Sequence, residues 1–304
     1  MPSFAAGTPG YVLLVLVFCL VWSSAFAVAK LALEVCPPNL FLGMRFLLGA
    51  LPLIGWAWAR GELRGLGWRL WLGLVALGML NQTGFNGFVW VGLESVSSGL
   101  AAIIISTNPI FIAALAVPVL GERLTGAKIG GLLLGFAGVA LVLRNRIVVT
   151  GEDATAIAFV VAGLASLVAG TLLFKRWAPR ASLAAVVGVQ MLCAGAVLGG
   201  VGLAVEDPAA IRPGALLAFV LAYNGVAVSL GGFVLWFFLL RAGSATAASA
   251  LHFLMPPLGL LFGWLLLGEP VEPLELAGIL PIAAGIWLVT RGPAAPVRAD
   301  VPGR

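Results

Sequence analysis

The chain has 304 residues, of which 62% are hydrophobic and only 10% are charged, and its mean hydropathy is +1.12. A soluble globular protein carries roughly 25% charged residues because its surface faces water. The polar residues of this chain are too few to cover a soluble globule, so we predict that most of its surface faces lipid. The net charge of +5 does not indicate nucleic-acid binding, since the basic residues form no long run and no patch flanked by aromatic residues.

Ten apolar stretches are long enough to cross a bilayer, which takes roughly 20 residues of helix. Short loops join them and leave no room for a soluble domain. We therefore predict an all-α integral membrane protein with ten transmembrane helices. In chain order the predicted helices are 11–29, 38–59, 70–91, 98–120, 127–143, 154–174, 182–205, 215–240, 245–267 and 274–290.

Basic residues are distributed unequally between alternate loops, and this bias sets the orientation of a membrane protein. If the N-terminus is cytoplasmic, twelve Lys and Arg residues lie on the cytoplasmic side and four on the outer side. Nine of the twelve acidic residues then fall outside. We predict a location in the inner (plasma) membrane with both termini in the cytoplasm. Residues 292–304, rich in proline and charge, are predicted to be a disordered cytoplasmic tail.

Two segments, 97–143 and 244–290, match each other without gaps at an offset of 147 residues. Both contain a proline, a Gly-Glu pair and two later glycines at the same spacing, which apolar composition alone does not explain. The offset covers five predicted helices, and because five is odd the two copies must have opposite orientations. We predict two inverted five-helix repeats, 1–148 and 149–291, around a central cavity. This architecture is common in secondary transporters.

The first predicted helix contains Trp22-Ser-Ser-Ala-Phe26, the second contains Pro38 with Arg45-Phe46, and the two Pro…Gly-Glu…Gly…Gly blocks follow later in the chain. Through these motifs the chain resembles, over roughly residues 11–291, the drug/metabolite transporter superfamily in its ten-helix EamA-type branch. Within the superfamily the chain is most similar to YddG-type exporters of aromatic and other neutral amino acids. The resemblance implies a basket-like fold in which helices 1–4 and 6–9 surround the cavity and helices 5 and 10 lie at the periphery.

Polar side chains deep in the predicted helices are the candidate binding residues, because such groups are costly in lipid unless they are paired or functional. Gln82 and Asn86 are four residues apart, so an α-helix places them on one face. We predict a neutral, hydrogen-bonding cavity with aromatic walls; the alternative that each amide only joins two helices stays open. The candidate cavity residues are Trp22, Asn81, Gln82, Phe85, Asn86, Thr107, Asn108, Gln190, Tyr223, Asn224, His252 and Met255, and the candidate hinges are Pro109 and Pro256.

Arg45 lies roughly 11 Å along the second predicted helix, at 1.5 Å per residue from its start. It can bind a substrate carboxylate or bond within the protein. Since the resemblance implies an arginine here in carriers of varied substrates, we favour the structural role. His252 is the sole histidine and the side chain that titrates nearest neutral pH. All twelve acidic residues lie in loops, at helix ends or in the tail, so we predict facilitated diffusion or exchange, or proton coupling through His252.

Other classes of function lack the residues that they need. No serine nucleophile with a base, no aspartate pair and no His-Glu-x-x-His motif is present, so we predict no enzyme and no catalytic residue. Three separated cysteines and one histidine provide neither a disulfide framework nor a metal site, and we predict no cofactor. A channel-like pore would require a continuous polar stripe along the helices, whereas the polar positions of this sequence are sparse and central.

The sequence therefore predicts a transporter of small metabolites that works by alternating access, as a monomer or weak dimer in the lipid bilayer. Aromatic or other neutral amino acids, moved outward, are the favoured substrates. Sugars, nucleosides or drugs are the alternative. No nucleic-acid partner is predicted.

Overall fold

The computed structural model describes residues 8–93, 95–96, 98–144, 153–268 and 271–291, and these form helices joined by short turns. Within these described ranges, eight helical stretches are long and apolar enough to cross a membrane, which confirms the predicted all-helical, multi-pass membrane class. They are Pro38–Ala59, Leu100–Leu120, Gly126–Leu143, Ala154–Trp177, Leu183–Val205, Ala215–Ala242, Ala245–Leu266 and Pro273–Thr290.

Several of the long helices consist of shorter ones joined end to end. A π-helical segment, Met79–Gly84, joins Trp68–Gly78 to Phe85–Leu93, and a second, Tyr223–Gly232, joins Ala215–Ala222 to Phe233–Ala242; a 3-10 turn, Leu251–Leu254, joins Ala245–Ala250 to Met255–Leu267. The α-helices are α1 (Pro9–Leu33), α2 (Pro38–Ala59), α3 (Trp68–Gly78), α4 (Phe85–Leu93), α5 (Ser98–Ser106), α6 (Asn108–Leu120), α7 (Gly126–Leu143), α8 (Ala154–Trp177), α9 (Leu183–Val205), α10 (Ala215–Ala222), α11 (Phe233–Ala242), α12 (Ala245–Ala250), α13 (Met255–Leu267), α14 (Pro273–Ala277) and α15 (Ile279–Thr290).

The first and third predicted spans are helical but fall outside those eight stretches. In α1 the apolar stretch covers Pro9–Ala25. In the helix over 68–93 the amides of Asn81, Gln82 and Asn86 interrupt the apolar sequence near its middle. The predicted tail, 292–304, lies outside the described residues.

The helices α6 and α13 are equivalent in length and at both ends. Each has 13 residues, begins 147 positions from the other, and carries a proline in its first turn. Each ends at a glycine in the left-handed conformation, Gly121 at φ 70° and Gly268 at φ 67°, which residues with a side chain rarely adopt. The proline and glycine of the repeated frame therefore start and stop equivalent helices. The repeated Glu269 lies outside the described residues.

Glycines allow α7 and α15 to approach closely in an antiparallel arrangement. A Cβ on Gly131 would lie 2.6 Å from the carbonyl oxygen of Gly285, and one on Gly278 would lie 2.6 Å from that of Gly138. Gly278 and Gly285 follow Gly131 and Gly138 by 147 residues. The two contacts are therefore one contact repeated with the halves of the chain exchanged.

The helices α2 and α9 also pack antiparallel along their length. A Cβ on Gly43 would lie 2.5 Å from the Cα of Gly199. Beyond the end of α9, the Glu206 carboxylate accepts hydrogen bonds from the backbone N–H groups of Asn39 (2.8 Å) and Leu40 (2.9 Å) in the first turn of α2. A carboxylate at a helix N-terminus satisfies free donors and complements the helix dipole.

Candidate functional site

Two serines in the middle of α1 contact helices from the second half of the chain. Ser23 Oγ donates a hydrogen bond to Met255 Sδ at 3.2 Å. The hydroxyls of Ser24 and Tyr223 are hydrogen-bonded to each other. Helix α1 therefore connects the π segment that begins at Tyr223 with the first residue of α13.

The imidazole of His252 lies among aromatic rings, one of which belongs to Trp22, the residue before Ser23. Its centroid is 4.8 Å from that of Trp236, 6.4 Å from that of Phe18 and 6.5 Å from that of Trp22, and each pair meets edge to face. His252 Nδ1 lies 3.0 Å from the carbonyl oxygen of Ser249. Because a carbonyl only accepts, Nδ1 carries the proton, and a neutral ring then leaves Nε2 as an acceptor.

These contacts bring four predicted cavity residues together around one turn of α1. We call this set the α1 site; it comprises Trp22, Ser23, Ser24, Tyr223, Trp236, His252 and Met255.

Asn81 and Gln190 form a separate polar contact, where the helix over 68–93 meets α8 and α9. Asn81 Nδ2 donates to Gln190 Oε1 at 3.4 Å, and Gln190 Nε2 donates to the carbonyl oxygen of Val186 at 3.1 Å. The position of a Cβ on Gly170 is occupied by the Asn81 side chain. These amides bond one helix to another. This arrangement is the alternative to a cavity role that the sequence left open.

Three other predicted residues bond within their own helices. The Thr107 hydroxyl donates to the carbonyl three residues earlier at 2.6 Å, and the amides of Asn86 and Asn224 donate to carbonyls four residues earlier at 2.8 and 3.1 Å. Gln82 lies in the first π segment, where hydrogen bonds span five residues. The prediction that Gln82 and Asn86 share one face assumed a regular α-helix, in which residues four apart lie one above the other. It does not hold across a π segment, because the number of residues per turn differs there.

Gln82 and Asn108 are fully buried, and neither amide forms a side-chain hydrogen bond within the described part of the chain. Asn108 begins α6, directly before Pro109, and Pro256 has the equivalent place in α13. Phe85 follows the first π segment, and its backbone faces α8 at Gly163.

Arg45 bonds within the protein. Its Nε donates to Ser229 Oγ at 3.2 Å, and its guanidinium carbon lies 4.8 Å from the ring centroid of Phe46. The residue is only 6% exposed. These contacts are those expected for the structural role.

Arg45→Met is expected to lower the free energy of unfolding by about 1–3 kcal/mol, because it leaves the buried Ser229 hydroxyl without its donor. Arg45→Lys should recover only part of this loss, since a lysine lacks the Nε donor and the planar group over Phe46. Thermal unfolding in detergent measures both, with the exposed Arg64→Met as control. Normal stability of Arg45→Lys together with lost transport would assign Arg45 to the substrate instead.

Ser23, Ser24 and Trp236 are not among the predicted cavity residues, although they lie in the α1 site. The serines carried an available signal, since two hydroxyls in the middle of an apolar helix meet the criterion that selected the amides. Trp236 carried none, because an aromatic residue in an apolar helix is unremarkable until its neighbours are known.

The chain matches the EamA-like transporter family over residues 9–144 and 154–291. A protein of Streptantibioticus cattleyicolor named "Probable terminal-alkyne amino-acid exporter" is 33% identical over 221 residues, covering 70% of this chain and 71% of that one. A Chlamydia muridarum protein named "S-adenosylmethionine/S-adenosylhomocysteine transporter" is 28% identical over 288 residues, covering 87% and 86%. A crystal structure that is 20% identical has the same fold, with a TM-score of 0.79 over 91% of this chain and 95% of that chain. Since the family match covers both halves of the chain, this protein belongs to the EamA-like transporter family.

Proposed function

We propose that this transporter carries neutral amino acids and that the α1 site binds them. The observation that supports this most directly is the chemistry of the site, with the hydroxyls of Ser24 and Tyr223 and the imidazole of His252 beside two tryptophan rings. Among the described residues, every Asp and Glu lies in a loop or within a turn of a helix end. Such a site suits a zwitterion with an apolar side chain, whereas a cation in a membrane needs a negative partner.

The proposed mechanism is alternating access between two inverted five-helix repeats, 1–148 and 149–291, in a protein with ten spans. The equal ends of α6 and α13 and the reciprocal contacts of Gly131 and Gly278 support it. A reciprocal contact between antiparallel helices implies a two-fold axis across them, which is the relation between inverted repeats. The two halves would rock about the α1 site.

The buried amides of Gln82 and Asn108 support a second conformation. An unpaired buried polar group costs about 1–3 kcal/mol, and that cost is relieved if the amides meet water or substrate when the halves move. Pro109 and Pro256 remain the proposed hinges, because proline removes one hydrogen bond from the helix ladder and lets it bend. Asn81 and Gln190 are proposed to join helices beside the cavity.

The Chlamydia relative favours a second candidate substrate class, an amino acid that carries a nucleoside on a neutral thioether, as S-adenosylhomocysteine does. The rings of Trp22 and Trp236 offer stacking surfaces for a base as well as for an amino-acid side chain. Sugars, plain nucleosides and drugs remain further alternatives within the family.

Counterflow in proteoliposomes tests the proposal. Vesicles containing the purified protein are loaded with one unlabelled amino acid, sugar or nucleoside, and uptake of the labelled compound is measured. We expect saturable, transient accumulation of neutral amino acids, aromatic ones included. Flux that rises linearly with concentration would indicate a channel-like pore, and counterflow of sugars or nucleosides alone would contradict the proposed substrate.

The proposed energy source is the substrate gradient, by facilitated diffusion or exchange, with His252 as the candidate proton carrier if coupling exists. An imposed pH gradient without a substrate gradient should then give no accumulation, or accumulation that His252→Ala abolishes. Accumulation that persists in His252→Ala would contradict both transport driven by the substrate gradient alone and proton coupling through His252.

We propose a monomer or weak dimer in the inner membrane with both termini in the cytoplasm and export as the direction. Single cysteines placed at 123 and at 269 should then be labelled by an impermeant maleimide from opposite faces of the membrane. Labelling of both from one face would refute the inverted repeats.

A further inference from the structure

The turn between α11 and α12 is held by a carboxylate from the first half of the chain. Glu122 Oε1 accepts the backbone N–H of Ala245 at 2.7 Å, and Oε2 accepts the Thr246 hydroxyl at 2.7 Å and the Thr246 N–H at 3.4 Å. Glu122 is only 8% exposed. One side chain therefore satisfies two free N–H groups and a hydroxyl at the start of α12.

Gly121 places Glu122 in this position. Its φ of 70° ends α6 and reverses the chain, and the N–H of Glu122 then bonds to the carbonyl oxygen of Ala116 at 3.1 Å. The Gly-Glu pair is thus a local device in which the glycine turns the chain and the glutamate reaches another helix.

An ammonium group holds the other side of the same turn. Lys175 Nζ donates to the carbonyl oxygens of Leu240 and Gly243, both at 2.7 Å, and this lysine is 9% exposed. Helix dipoles place partial negative charge at the end of α11 and partial positive charge at the start of α12. Lys175 and Glu122 match those signs, so each charge faces the partial charge that it complements.

Within the two matching segments the sequence does not repeat the hydroxyl. At an offset of 147 residues Glu122 corresponds to Glu269, but Thr246 corresponds to Gly99, which has no side chain to donate a hydrogen bond.

We propose that Glu122 and Thr246 form a latch that closes the transporter at this end and positions the α1 site, with Lys175 holding the same turn from within the second half. Glu122 and α12 belong to different halves, so the latch exists only while the halves meet here. Helix α12 leads directly into the turn that carries His252 and into Met255. Release of α12 therefore moves two residues of the site, and Glu122 acts as a positioning residue. The latch rests on the proposed function, because it limits reorientation of the empty carrier.

Glu122→Gln keeps the shape of the side chain and removes its charge. Glu206→Gln is the matched control, because Glu206 also accepts N–H groups at a helix start but joins α2 to α9, which pack along their length. Hydrogen–deuterium exchange of the full chain in lipid nanodiscs is the first readout. In Glu122→Gln we expect at least tenfold faster exchange over 245–247 and faster exchange over 251–256; in Glu206→Gln only 39–41 should change.

Transport is the second readout, with labelled L-phenylalanine as the probe. Loosening the latch should speed return of the empty carrier, so net efflux should rise at least threefold relative to exchange in Glu122→Gln and stay unchanged in Glu206→Gln. Thr246→Val removes only the hydroxyl donor and should shift both readouts in the same direction by less. It also serves as the test variant if Glu122→Gln does not fold.

Faster exchange confined to 245–247, or an unchanged ratio of efflux to exchange, would reduce Glu122 to a simple helix cap and overturn the latch. If hydrogen exchange over 245–247 is unchanged in Glu122→Gln, then Glu122 does not stabilise the start of α12 either. If the wild-type protein carries no amino acid, the proposed substrate fails, and the exchange pattern over 251–256 still decides the latch.

Discussion

Gly131→Ala is expected to lower the free energy of unfolding by about 1–3 kcal/mol, the usual range for an overpacked interior. The added methyl group would lie 2.6 Å from the carbonyl oxygen of Gly285, 2.9 Å from Leu288 Cβ and 3.0 Å from a methyl of Val289. Backbone cannot yield as a flexible side chain can, so α7 and α15 must separate. Gly278→Ala, the reciprocal change, should cost a similar amount.

The neighbouring Gly130→Ala is the control, because a Cβ there meets nothing within 4 Å. It should leave stability unchanged or raise it by up to about 1 kcal/mol, the helix preference for alanine over glycine. Thermal unfolding in one detergent, followed by tryptophan fluorescence, compares the variants. Equal stability of Gly130→Ala and Gly131→Ala would mean that α7 and α15 do not pack as described.

Trp22→Ala is expected to reduce L-phenylalanine counterflow about tenfold, equivalent to about 1.4 kcal/mol of binding free energy. The indole is part of the wall of the α1 site, with its centroid 4.7 Å from that of Phe233 and 5.2 Å from that of Phe18. Trp22→Phe retains an aromatic ring and should retain most of the activity. Counterflow at several substrate concentrations separates affinity from maximal rate.

Trp264→Ala controls for the loss of a tryptophan as such, since Trp264 is 54% exposed on the outside of α13. Size-exclusion profiles must match the wild type before the transport rates are compared. Full activity of a well-folded Trp22→Ala would remove the α1 site from the substrate path.

The sequence predicted the fold best where a residue dictates backbone geometry. The fourth and ninth predicted helices end at residues 120 and 267, and the structure ends α6 and α13 there, because each is followed by a glycine with positive φ. Pro109 and Pro256 likewise mark the interruptions within those spans, since proline cannot donate to the helix ladder.

The site was less predictable because depth in the membrane does not determine what a side chain faces. Asn81 and Tyr223 met the same criterion, yet Asn81 contacts Gln190 whereas Tyr223 contacts Ser24. Gln190 and Ser24 are 109 and 199 residues away from these side chains in the sequence, so only the packing of the helices determines which partner each side chain meets. Glu122 appeared in the sequence only as a marker of the repeat, and its contact with Thr246 depends on how the halves meet.

The two π segments also determine where the chain tolerates a change in length. A π turn holds a surplus residue within a helix whose flanking turns are regular. Loss of one residue from Met79–Gly84 or Tyr223–Gly232 can be absorbed by a return to α-helical bonding, with the faces of α4 and α11 kept in place. The same deletion in α8 or α9 would rotate every later side chain by about 100°. Single-residue insertions and deletions among related sequences should therefore concentrate in these two π segments.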